Sequence, residues 1–160
     1  MDAIESVSHL IATNNFESTT ISIPNPNNPT NLIDIYVYGL KNPKIDMKII
    51  NGSPYIKLKY NVLARVVSID KVSNNSNSDN FINALSESVS KYLEKHVSDY
   101  LYKTSKKYNS DISGMGNYAV KKFITNEQWN NYNWLDNYQN AFFNVSFETN
   151  VKSGLLLKEN

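Results

Sequence analysis

Phe81, Ile82, Leu85, Val89, Tyr92, Leu93, His96, Val97, Tyr100 and Leu101 recur at i, i+3 and i+4. That spacing places them on one stripe of an α-helix running over Asn80–Lys107. A helix with so wide an apolar stripe needs a surface to lie on. At ~1.5 Å per residue it spans about 42 Å. Just upstream, Ile56, Leu58, Tyr60, Val62, Ala64 and Val66 alternate with wetter positions that include Lys57, Lys59, Asn61 and Arg65, the period of a strand with one dry face. From Tyr55 to Ile69 such a strand reaches about 50 Å at ~3.3 Å per residue. The two lengths are close, which predicts a helix laid lengthwise on the apolar face of a long sheet.

The remaining pattern supplies the other strands. Ile33, Ile35 and Val37 alternate with Asp34, Tyr36 and Tyr38, and a separate run carries Ile45, Met47 and Ile49 up to Asn51-Gly52. Asn-Gly accepts positive φ, so that run and the long strand form a hairpin, with Ser53-Pro54 expected to lengthen the turn. Thr19 to Pro24 reads as a strand and the PNPNNPT run beyond it as a loop, because proline lacks the ladder donor. Residues 2–13 place Ile4, Val7 and Ile11 on a short helix. Ser73 to Asp79 ends the long strand and offers Ser78 or Asp79 as an N-cap. Tyr118 to Phe123 and Glu127 to Tyr138 read as short helices, and Phe143, Val145, Phe147, Thr149 and Val151 form a last strand. The expected class is α+β: a long, twisted, mainly antiparallel sheet of about four to five strands, one long helix packed on it, and smaller helices at one end.

Composition narrows the function. A length of 160 residues suits a single domain. Sixteen basic and fifteen acidic residues leave a net charge of +1, too weak a field to hold a polyanion, so nucleic acid is excluded as a partner. The absence of cysteine removes disulfides and thiolate chemistry. No window approaches the ~20 apolar residues of a spanning helix.

His96 lies on the apolar stripe and is read as a packed, hydrogen-bonded core residue; His9, among polar neighbours, is read as exposed. Asp34, Asp46, Asp70 and Glu148 sit on or beside strands at outward positions. Glu87 with Lys91 and Asp99 with Lys103 form i, i+4 pairs on the helix surface. No catalytic residue, cofactor site or metal site is expected, and the chain is not read as an enzyme. A rival reading is a small-molecule binder with an apolar pocket between sheet and helix, lined by Tyr60, His96 and Tyr100.

The stretch NSDISGMGNY, Asn109 to Tyr118, carries Gly114-x-Gly116 beside Ser110, Asp111 and Ser113. A phosphate cradle follows a strand and leads into a helix with a lysine or third glycine in step. Here a long helix precedes the glycines. The better reading is a tight joint, with Asp111 capping the helix that follows.

Those residues, Asp111-Ile112-x-Gly114-x-Gly116, followed by Trp129, Trp134 and a last strand ending near Gly154, resemble the C-terminal domain of the C subunits of bacterial spore germinant receptors. HLIATNNFESTTISIP resembles the helix, turn and strand that the family places before its long sheet, so the likeness covers nearly the whole chain. Ser113 and Met115 stand where that family usually has aromatics.

The resemblance implies a fragment of a larger lipoprotein, with residues 1–160 as its C-terminal domain and the lipid-bearing cysteine outside the fragment. It implies a place at the outer face of the spore's inner membrane, A and B receptor subunits as partners, and a non-catalytic role in nutrient-triggered germination. It also implies a structural role at the joint for Asp111, Ile112, Gly114, Gly116, Trp129, Trp134 and Gly154.

Overall fold

Asn51 and Gly52 both take left-handed backbone, φ 51° and 82°, which is what a two-residue turn between twisted antiparallel strands requires. They join the two longest strands of a computed structural model that describes residues 2–69 and 79–152. In chain order the elements are α1 (Ala3–Ala12), β1 (Ser18–Asn25), β2 (Asn28–Ile50), β3 (Ser53–Ile69), α2 (Asp79–Tyr102), α3 (Gly116–Ala119), α4 (Asn126–Tyr132), α5 (Trp134–Tyr138) and β4 (Phe142–Lys152). The class is α+β, as the residue pattern predicts. The sheet runs β1-β2-β3-β4. Its first two pairings are antiparallel and β3 with β4 is parallel, since β4 is reached only after the long crossover through α2.

Register aligns the buried apolar rows on one face. Met47 pairs with Ile56 and Ile56 with Phe143; Val37 pairs with Ala64 and Ala64 with Val151; Ile21 pairs with Ile35 and Ile35 with Val66. All of these are buried, together with Phe81, Leu85, Val89, Leu93, Val97, Tyr100 and Leu101 from α2. Lys57, Lys59 and Arg65 face water on the other side.

The helix does lie lengthwise, and it also closes an edge. Phe143 N–H donates to Tyr102 Oη at 3.2 Å, Phe147 N–H donates to Glu94 Oε1 at 2.9 Å, and Ser90 Oγ donates to Thr149 Oγ1 at 2.8 Å. From Ser90 to Tyr102 the helix rises ~18 Å and from Phe143 to Thr149 the strand advances ~20 Å, so the contacts keep step. Side chains of α2 thus occupy backbone donors that an edge strand otherwise offers to other chains.

Several local expectations give way. The runs Leu32–Tyr38 and Ile45–Ile49 belong to one 23-residue strand; the ladder absorbs Gly39 and Pro43 by register shifts between Tyr38 and Lys41 and between Lys41 and Lys44. PNPNNPT is not a loop: β1 runs to Asn25 and β2 begins at Asn28, leaving Pro26 and Asn27 as the turn, with Asn27 N–H bonded to Asn25 Oδ1 at 2.9 Å. Ser53 and Pro54 lie in β3, opposite Ile50 and Ile49, and do not lengthen the turn. Regular α-helix stops at Tyr102 and continues to Lys107 as a wider π-helical turn. Left-handed Asn133, φ 51°, divides the expected 127–138 helix into α4 and α5. Ser73 to Ser78, Asp70 and Gly154 lie outside the described residues.

Surface charges also pair differently. Glu87 does reach Lys91, at 2.6 Å, but Asp99 meets Lys95, at 2.7 Å. Lys103 bonds Glu5 instead and so ties the end of α2 to α1.

Candidate functional site

The segment between α2 and α5 carries the twin-glycine motif of the sequence together with left-handed residues. Asn109 takes φ 44° and Gly114 φ 73°, and Gly114 N–H closes a turn onto Asp111 O at 3.2 Å. Asp111 organises the bend: its Oδ1 accepts Met115 N–H at 2.8 Å, and its Oδ2 accepts Gly116 N–H at 2.6 Å and the Trp134 indole N–H at 2.8 Å. One carboxylate thereby satisfies two donors at the start of α3 and fixes an indole 23 residues downstream.

The two glycines serve different needs. Gly114 is required by its positive φ. Gly116 has an ordinary φ, but a Cβ there would meet Trp134 Nε1 at 2.9 Å and Asp111 Oδ2 at 3.1 Å. Its role is close approach, which no strand or helix periodicity could reveal. Ile112 is exposed, whereas Ser113 and Met115 are buried. Ser113 Oγ lies 3.4 Å from Tyr138 Oη, and both of those side chains are buried.

Around this clasp runs a chain of rings: Tyr102 with Phe143 at 5.1 Å, Phe143 with Tyr138 at 5.8 Å, Tyr138 with Trp134 at 5.0 Å, Trp134 with Trp129 at 5.9 Å and Trp129 with Phe123 at 5.5 Å. Tyr132 Oη donates to Gly52 O at 2.8 Å, which pins the small helices over the tip of the β2–β3 hairpin. Asp111, Gly114, Gly116, Trp129 and Trp134 are therefore brought together; Ile112 points away from them into solvent.

Neither histidine sits where the sequence reading puts it. His9 is half-buried, with Nδ1 2.8 Å from Tyr100 Oη and the two rings edge to face at 5.9 Å. Burial, with the negative charges of Asp111 and Glu5 behind it, pushes the Tyr100 hydroxyl up to about 12. His96 is not core. It sits half-buried against Tyr92, ring centroids 4.4 Å apart, and partial burial, aided by Lys95, lowers its pKa.

The pocket of the rival reading, lined by Tyr60, His96 and Tyr100, is not found among the described residues. Tyr60 is fully buried and stacked on Phe147 at 4.8 Å, and Tyr100 is packed in the same core. His96 instead lines a separate groove of about 240 Å³ between α1, β1 and α2. Among the described residues no group of three His, Asp or Glu side chains is placed to hold a metal ion, and no helix is long and apolar enough to cross a membrane.

A family model described as Spore germination B3/GerAC like, C-terminal, matches residues 1–154. A solved structure described as the crystal structure of the GerBC protein superimposes with a TM-score of 0.72 at 16% identity, covering 93% of this chain and 46% of that one. The chain thus spans about half the length of that relative, and the likeness speaks to the fold. A search of curated proteins finds no match.

Proposed function

The chain belongs to the family of spore germination B3/GerAC-like C-terminal domains, and from that membership we propose that it serves as a domain of a germinant-receptor C subunit. In this reading it acts in nutrient-triggered germination by presenting surface to the A and B subunits, without making or breaking bonds. The full-length protein is a lipoprotein held at the outer face of the spore's inner membrane, and residues 1–160 are its C-terminal domain.

The single observation that carries the reading is a family match over nearly the entire chain. The architecture supports it in kind. Asp111, Gly114, Gly116, Trp129 and Trp134 spend their polar and conformational capacity on one another, which is the behaviour of a scaffold joint. The motif is accordingly proposed as structural. In-frame deletion of this domain in a spore-former tests the function: loss of the nutrient response with intact response to a receptor-independent trigger is expected, and normal nutrient-triggered germination would remove the proposal.

A further inference from the structure

Left-handed Asn133 turns the chain between α4 and α5, and the turn opens a cleft of about 300 Å³ lined by Trp129, Asn130, Asn133, Trp134, Leu135 and Asp136. Its volume lies at the lower end of small-ligand sites. The indoles of Trp129 and Trp134 stand 5.9 Å apart and are tilted by 31°, and both are half-buried. The indole N–H of Trp134 donates to Asp111 Oδ2 at 2.8 Å, which fixes the position of that ring. By contrast, the side chains of Asn130, Asn133 and Asp136 are exposed and have no hydrogen-bond partner among the described residues. The fold does not use them.

The lining selects a ligand chemistry by elimination. No lysine or arginine lines the cleft, so an anion finds no counter-charge. The amides and the carboxylate argue against a purely apolar guest. Two rings tilted by 31° do not box in a cation as an aromatic cage does. Flat indole surface beside two amides, which donate and accept, and a carboxylate, which accepts, suits a ring with C–H groups on one face and hydroxyls at its rim. We propose that the cleft is a carbohydrate-binding site, with a neutral pyranose lying against Trp129 and Trp134 and its hydroxyls bonded by Asn130, Asn133 and Asp136. This goes beyond the receptor-subunit reading and does not depend on it.

Both of the chain's tryptophans line the cleft, so tryptophan emission, excited selectively over tyrosine, reports on it. Cellotetraose and tetra-N-acetylchitotetraose are titrated separately into the full chain up to ~10 mM, a range that includes weak millimolar binding. A saturable change in emission with at least one of them is expected. The double variant Asn130→Ala with Asp136→Asn, at two exposed positions, should keep its far-UV spectrum and weaken binding at least ~10-fold, the effect of losing about 1.4 kcal/mol of hydrogen bonding. No saturable change with either sugar, equal affinity in the double variant, or saturation by tetramethylammonium in place of the sugars would overturn the assignment.

Discussion

Replacing Asp111 by Asn keeps size and shape and removes only the second acceptor oxygen, so it isolates the electrostatic content of the clasp. In the native chain three N–H groups converge on this carboxylate at 2.6–2.8 Å. An asparagine can serve those at one oxygen only; its NH₂ would then face donors. Hydrogen bonds to a charged acceptor contribute roughly 1.5–3 kcal/mol each, but these bonds are only partly buried and the freed groups regain some water, so a net loss of about 2–4 kcal/mol is expected in place of the full sum. For a domain of this size, 1 kcal/mol moves Tm by about 2–4 °C, which gives a drop of about 5–15 °C. Thermal unfolding followed by far-UV circular dichroism measures it, and Trp134 emission should shift red as the indole N–H is released to water. Asp111→Ala should cost a similar amount. A variant Asp111→Asn that melts within about 1 °C of the native chain would refute the clasp as a source of stability.

Gly114→Val should destabilise more than Gly114→Asn, because asparagine visits left-handed backbone and valine does not; equal unfolding midpoints in urea would contradict that. Gly116→Ala should cost about 1–3 kcal/mol, the usual range for overpacking, through displacement of Trp134 rather than through φ, and a changed Trp134 emission in the folded variant is the check. Among the described residues the buried Tyr60 hydroxyl has no hydrogen-bond partner, and burial raises its pKa; Tyr60→Phe should be neutral or stabilising by about 1 kcal/mol, whereas a clear loss in urea unfolding would contradict this. His96 has a folded pKa below 6.5, so the unfolded chain binds the proton more readily and this contribution to stability falls as pH drops through 6.5. His96→Gln should therefore lose less Tm than the native chain between pH 7 and pH 5.5, and parallel losses would sink the argument.

Alternation and helical spacing were enough to read the long strand, α2 and their lengthwise match, because each element displays its buried face in its own period. They failed where the backbone departs from that period. Gly39 and Pro43 interrupt the alternation, so one continuous β2 looks like two runs. The parallel pairing of β4 is decided by the connection and not by residues within the strand. The clasp lies deeper still: Asp111 and Trp134 are far apart in sequence, and only the family motif placed them in one list. Nor could spacing show that Gly116 is crowded by Trp134, or that His9 and not His96 meets Tyr100. Each depends on which distant element arrives.

The proposed role requires this domain to contact the other receptor subunits. Purified chain, shown to be folded by its far-UV spectrum, is immobilised and presented with the detergent-solubilised A and B subunits. Retention of at least one of them, undiminished by germinant-free buffer and lost on unfolding the bait, is the predicted result. Passage of both subunits through the column while the domain remains folded would contradict it.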